Sequence, residues 1–303
     1  MKKRHRWLAS SLVVIVGACA AFGWCEYRNN TEAVPPTAAE VHASFDAATA
    51  WIMQRRSQVL SENNAMLWLF VRQASRLAAN EPLAALATRF ENESARGTVN
   101  QFLFEPAIDA RTRDLPIQLD DSWAAYQRLF IYGSTCNTGL SFDPQVQSEL
   151  SPEACASRRG WLHDPWCRTH QLMGLRFVQR NHCEPDEQVA RTIAATQAGI
   201  LAELSWDFRV EDAYLQKVWT LIESGRRDAI KPVWIRRILA AQRADGGWSG
   251  QDEILRLPGD RALFWTGGSY PRIGPVPQSD FHATAQGLYL MALLGTSAVH
   301  ATK

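Results

Sequence analysis

Charge of one sign is what this sequence has least of. Its 303 residues carry 32 Lys+Arg against 31 Asp+Glu, a formal net charge of +1. Beyond residue 30 the balance is 27 against 30, with no long run of either sign. A chain without a basic field has nothing to draw a polyphosphate backbone, so nucleic acid is excluded as a partner. Other absences narrow the chemistry. No C-x-x-C or H-E-x-x-H spacing points to a metal, no Gly-rich nucleotide loop or G-x-S-x-G elbow is present, and no C-x-x-C-H attaches a haem. Nothing in the sequence requires a cofactor. Sustained period-2 alternation is missing as well, which argues against a sheet-based fold.

What is present begins at the N-terminus. Lys2, Lys3, Arg4, His5 and Arg6 precede a charge-free run from Trp7 to Trp24, and Glu26 is the first acid. A basic head before an apolar run directs a chain into or across a bacterial-type inner membrane, with the positive charges left on the cytoplasmic side. Eighteen residues make about 27 Å of helix, near the lower limit for spanning. Three fates remain open: an uncleaved signal anchor, lipoprotein processing at Cys19 within the lipobox-like Val16-Gly17-Ala18-Cys19, or cleavage after Ala20 in the A-x-A pattern. Each places the rest of the chain in the periplasm or another extracytoplasmic space. The domain plan is therefore residues 1–25 as signal or anchor, 26–36 as a tether ending at Pro35-Pro36, and 37–300 as one helical domain.

Six cysteines then acquire a meaning. Cys136, Cys155, Cys167 and Cys183 lie in the exported part and read as two disulfides, with three pairings open. Cys25 is left near the membrane. His163, Cys167 and His170 share one helix face, with His182 and Cys183 beyond it, but disulfide bonding removes the thiolates a zinc site needs.

Helical spacing dominates the exported part. Thr37 with Glu40 gives a T-x-x-E capping box, and Val41, Phe45, Ala48, Ile52 and Val59 follow at helical intervals. Further helices are expected near 65–76, 82–90, 121–132, 164–181, 186–204, 211–224, 231–243 and 281–294. Gly133 to Arg159 reads as a long loop, and so does 245–280. The expected fold is all-α, a stack of helical hairpins.

One stretch carries a signature. Trp234-Ile235, Leu239-Ala240-Ala241-Gln242 and Asp245-Gly246-Gly247-Trp248 together resemble the QW-type repeat of terpenoid cyclases and related α/α-toroid proteins. The turn sends the chain back after a helix, Trp packs on that helix, and Gln ties loop to helix. Phe281 to Leu290 resembles an inner toroid helix. The resemblance implies an α/α-toroid-like fold and no particular activity. The family's acid motif departs from the pattern here: Gln118-Leu119-Asp120-Asp121 has Gln where D-x-D-D needs Asp, and Ala124 breaks D-D-x-x-D.

Candidate functional residues follow from chemistry and position. His282 lies in the first turn of the last helix, where the positive helix end favours neutral imidazole and hence a general base. Tyr270 and Arg272, from the Gly/Pro-rich loop before it, complete a candidate catalytic set. Trp265, Trp248 and His170 are candidate ligand contacts, since tryptophan stacks on sugar rings. Asp207, Glu211 and Asp212 are of the type that serves as glycosidic acids, and Asn181 and His182 are of types found in polysaccharide lyases. Three functions remain: a membrane-tethered domain binding an envelope protein or glycan, a toroid lyase or hydrolase of envelope polysaccharide with His282 as base, and a structural envelope scaffold.

Overall fold

The computed structural model describes residues 17, 19–20, 22–104, 108–155, 164–266 and 270–300. The chain is mostly helical. Residues 22–30 form α1, followed by α2 (Ala38–Gln54), α3 (Arg56–Val59), α4 (Ala65–Leu77) and α5 (Glu81–Phe90). After short turns come α6 (Ala110–Arg113), α7 (Ala125–Thr135), α8 (Pro144–Glu149) and α9 (Cys167–Arg180). Then α10 (Asp186–Trp206), α11 (Asp212–Glu223), α12 (Pro232–Ala241) and α13 (Phe281–His300) complete the helices.

Helix starts follow local chemistry. The Thr37 hydroxyl accepts the Glu40 amide while the Glu40 carboxylate accepts the Thr37 N–H, so the capping box at α2 is present. At α8, Asp143 accepts from the Gln145 amide, with Pro144 in the first turn. That cap puts a short helix inside the segment 133–159 expected to be a loop. Residues Val99–Leu103 form a 3-10 turn.

Neighbour relations organise the rest. α13 packs on α2, α4 and α11; α4 also meets α5 and the 3-10 turn Val99–Leu103, which lies against α7; α7 packs on α9, and α9 on α10 and α11. α13 is buried on nearly every side through Leu288, Leu290 and Met291. Small residues at its start, Ala283, Ala285 and Gly287, let neighbours approach: a Cβ on Gly287 would sit 2.4 Å from the Trp248 ring.

The turn after α12 builds the interactions its sequence suggested. The Gln242 amide nitrogen donates to the carbonyls of Gly246 and Ser44, and the Trp248 indole N–H donates to the Ile238 carbonyl. Gly246 has φ +92°, and a Cβ there would meet the Ala47 carbonyl oxygen at 2.4 Å, so only glycine fits. Trp248, expected among the ligand contacts, is instead a core residue only 1% exposed.

Two features depart from the expected plan. A three-stranded antiparallel sheet, β1 (Asp252–Leu257), β2 (Arg261–Trp265) and β3 (Pro271–Pro275), occupies the segment 245–280, so the fold is not purely helical. Its alternation is hidden in the sequence for two reasons. An irregularity between Glu253 and Leu255 inserts Ile254 into β1, and Ala262-Leu263-Phe264-Trp265 is apolar on both faces. The hairpin turn is Pro258-Gly259-Asp260, with positive φ at Gly259 and Asp260.

The second departure is the expected tether. Residues 26–30 are helical, and Asn29 is fully buried. Its side chain donates to the Asp207 carbonyl and accepts from Arg237, while its own carbonyl accepts the Trp234 indole N–H. Lys231 donates to Asn30. These polar residues look like a linker in sequence because their partners lie about two hundred positions away.

Cys136 bonds to Cys183, and Cys155 to Cys167. The first bridge joins the end of α7 to the end of α9, and the second holds the turn after α8 to the start of α9. Each closes a loop worth about 2–4 kcal/mol. Two bridges fit an oxidising, extracytoplasmic compartment. Cys19 and Cys25 are outside any disulfide, and Cys19 is exposed. Among the described residues no helix is long and apolar enough to cross a membrane; most of the run Trp7–Trp24 lies outside them.

Candidate ligand cleft

One cleft has a volume of about 510 Å³, and five helices line it from their N-terminal halves. Met66 comes from α4, Tyr126 from α7, His170 from α9, Gln216 from α11 and His282 from α13. Asn63, Asn64, Asn100, Ser122 and Gln127 add amide and hydroxyl groups, and Trp123 adds a half-buried indole. The floor is apolar, made by Phe70, Phe130 and Met173.

His282 is held from the side by α11. Its Nδ1 lies 2.8 Å from Asp212 Oδ2, and the Gln286 amide nitrogen is 3.2 Å away. With Nδ1 committed to Asp212, Nε2 is the nitrogen left for a ligand. Surrounding protein disfavours the imidazolium, but the Asp212 hydrogen bond and charge, with Asp280 and Glu62, outweigh it and raise the pKa above the ordinary histidine value. The carboxylate in contact thus acts against the expected influence of the helix end on this imidazole. The side chain remains 41% exposed, so water and ligands reach it.

His170 is the opposite case. Its ring stacks on Tyr126 with centroids 4.1 Å apart and an interplanar angle of 11°, and Phe130 meets it edge-on. Nδ1 is buried without a hydrogen-bond partner. Burial, and then the charge of His282, push its pKa down to about 3, so this ring is neutral. Gln216 is held by the Thr169 hydroxyl, which donates to its carbonyl oxygen at 2.7 Å and leaves the amide nitrogen as the donor for a ligand.

The structure brings His282 and His170 together and leaves the other candidates elsewhere. Tyr270 is 64% exposed, and Arg272 sits exposed on β3 opposite Phe264; neither lines the cleft. Trp265 lies on β2, edge-on to Phe208. His163 lies outside the described residues. Cys167 and Cys183 are bonded, so they offer no thiolate beside His170 or His182. The exposed His182 ring faces Asp186 at 3.1 Å.

The three candidate acids also separate. Asp212 reaches the cleft through His282, whereas Asp207 and Glu211 are fully buried in a charge cluster. There Asp207 binds Lys217 at 2.7 Å and Arg209 at 3.0 Å. Sequence reasoning passed over Asn63, Asn64, Trp123, Tyr126 and Gln216 as site residues. Their only signal is position near the starts of helices that meet, and that requires the helix arrangement.

Comparison of the chain with family models, with curated proteins and with solved structures found no match.

Proposed function

We propose that this is a membrane-tethered extracytoplasmic domain with an α/α-toroid-like ring, which binds a neutral glycan in its central cleft. The supporting observation is the convergence of α4, α7, α9, α11 and α13 on one cleft by their N-terminal halves. The neighbour relations α13–α4, α7–α9, α9–α11 and α11–α13 run around such a ring, with the 3-10 turn bridging α4 and α7. α2, α5, α8, α10 and α12 each lie against an inner helix, which matches an outer layer. In this reading the apolar run Trp7–Trp24 is an N-terminal anchor in the inner membrane.

A glycan suits the lining. Trp123 and the free face of Tyr126 offer ring faces for sugar stacking, Asn63, Asn64 and Asn100 offer paired donors and acceptors for hydroxyls, and Gln216 offers a donor. Calorimetric titration of the full chain with oligosaccharides from envelope polysaccharide tests this. Saturable binding is expected, weakened about tenfold in Trp123→Ala through loss of one stacking contact. No binding at millimolar oligosaccharide would sink the reading.

A second reading is favoured by the His282–Asp212 pair. Asp212 makes His282 a stronger base, suited to proton abstraction by a polysaccharide lyase or to activating water in a hydrolase. Incubation with the same oligosaccharides would then release shorter products, and His282→Ala would abolish release while leaving binding intact.

A further inference from the structure

The sheet has one face turned to the domain and one turned away from it. Ala262 and Phe264 are buried beneath it, while the paired row Leu255–Leu263–Ile273 lies on the opposite face. Leu255 and Ile273 are each 56% exposed, and Leu263 is partly so. Trp265 shares that outer face and packs edge-on against Phe208. Two residues before Phe208, Trp206 meets Phe22 of α1 at 6.1 Å, and Trp24 stacks on Tyr27 at 6.2 Å. The outer face is thus connected to α1 through the chain segment Trp206–Phe208, which touches Phe22 at one end and Trp265 at the other.

Such a surface is costly to leave in water, and its place in the chain says what covers it. The apolar run Trp7–Trp24 closes with Phe22 and Trp24 of α1, both more than half exposed. Asn29 and Asn30 fix α1 to α10 and α12, so a membrane-inserted run has no slack tether behind it. The bilayer surface then meets the domain at Trp24, Tyr27 and Trp206, residue types that favour the membrane–water interface.

The geometry points to the outer face of the sheet as a second membrane contact, which lays the domain on the lipid surface and fixes how the cleft is presented. The inference rests on the anchored reading above but not on what the cleft binds. Charges on that face cancel: by register it carries Arg261 and Asp252, while on the other face Arg256 is paired to Glu253 at 3.1 Å. The contact is therefore apolar and aromatic, and insensitive to salt.

The test uses the full chain in vesicles of phosphatidylethanolamine and phosphatidylglycerol, with an encoded photo-crosslinking amino acid placed singly at Leu255, Ile273, Trp24 or Phe142. All four positions are exposed, so none of the replacements disturbs the core. Lipid adducts are expected at 24, 255 and 273, unchanged in high salt, with those at 255 and 273 at least tenfold above Phe142. Adducts at 24 but not at 255 or 273 would overturn the docking face and leave the anchor standing. Absence at all three would overturn both. Adducts at 255 and 273 that vanish in high salt would show a loose electrostatic approach and overturn the apolar contact.

Discussion

Glu211 and Asp212 are adjacent carboxylates at the start of one helix, yet they belong to different regions. Asp212 stands behind the cleft and holds one of its lining residues, an imidazole that solvent reaches. Glu211 is sealed with Asp207, Glu203, Arg209 and Lys217, and neither of its oxygens has a hydrogen-bond partner; its nearest cation is Arg209 Nη1 at 3.5 Å. Burial raises its pKa to about 8, chiefly against the opposing charge of Arg209. Glu211 is the extended N-cap and Asp212 the first helical residue, so the change of backbone at the helix start separates a group available for chemistry from one committed to holding helices together. Asp207 itself is well satisfied, by Lys217 and Arg209, and Arg237 donates to the Asp207 and Phe208 carbonyls with its guanidinium over Tyr214. Around His282 the ions leave one imidazole nitrogen for a ligand. The difference is access to water, which sequence does not encode.

Breaking the sealed side has the largest expected effect. Lys217 bonds Asp207 at 2.7 Å and lies 3.3 Å from Glu203, with no solvent to take its place. Lys217→Met strips both carboxylates of a shared cation, and the loss is expected to be about 3–5 kcal/mol, read from urea unfolding. A loss below 1 kcal/mol would mean that the cluster is wetter than it looks. Glu211→Gln sharpens the same side. Its folded pKa lies above the unfolded value, so the wild type binds the extra proton when folded and loses stability as pH rises from about 4.5 to 8, on the order of 5 kcal/mol. Gln cannot ionise, so the variant's unfolding midpoint stays flatter over that window. A wild-type midpoint already flat there would show that Glu211 is not desolvated.

Sequence reading reached the helices because their signals are local. The Thr37–Glu40 box, the Gln242–Trp248 turn and the apolar spacing from α9 to α13 each act within a few residues. It placed His282 in the first turn of α13 for the same reason. It missed the sheet because Ile254 interrupts the alternation of β1 and because β2 is apolar on both faces. It missed the docking of Asn29 because the partners, Asp207, Trp234 and Arg237, are brought near only by the finished fold. The partner of His282 was equally invisible: Asp207, Glu211 and Asp212 are all carboxylates, and only the last lies inside α11, where it meets His282.

The smallest expected effect on stability is also the most direct test of the open side. Asp212→Asn keeps a side chain of the same shape at the cleft and removes one charge, at a surface where water can compensate. Stability is expected to change by less than about 1 kcal/mol, as for a partly exposed ion pair. The imidazole responds much more. Without the carboxylate, the protein around His282 disfavours its charged form with only Asp280 and Glu62 opposing, so its titration moves to lower pH. Histidine proton resonances followed across pH read this directly, while the resonance of His170 stays in its neutral form across the same range above its pKa of about 3. The wild-type carboxylate stabilises the folded state while His282 is protonated, and that contribution fades as pH rises through the raised pKa. The variant lacks it at every pH. An unchanged His282 titration in Asp212→Asn would show that the 2.8 Å contact does not persist in solution, and the cleft would lose the feature that distinguishes it from the sealed cluster one residue away.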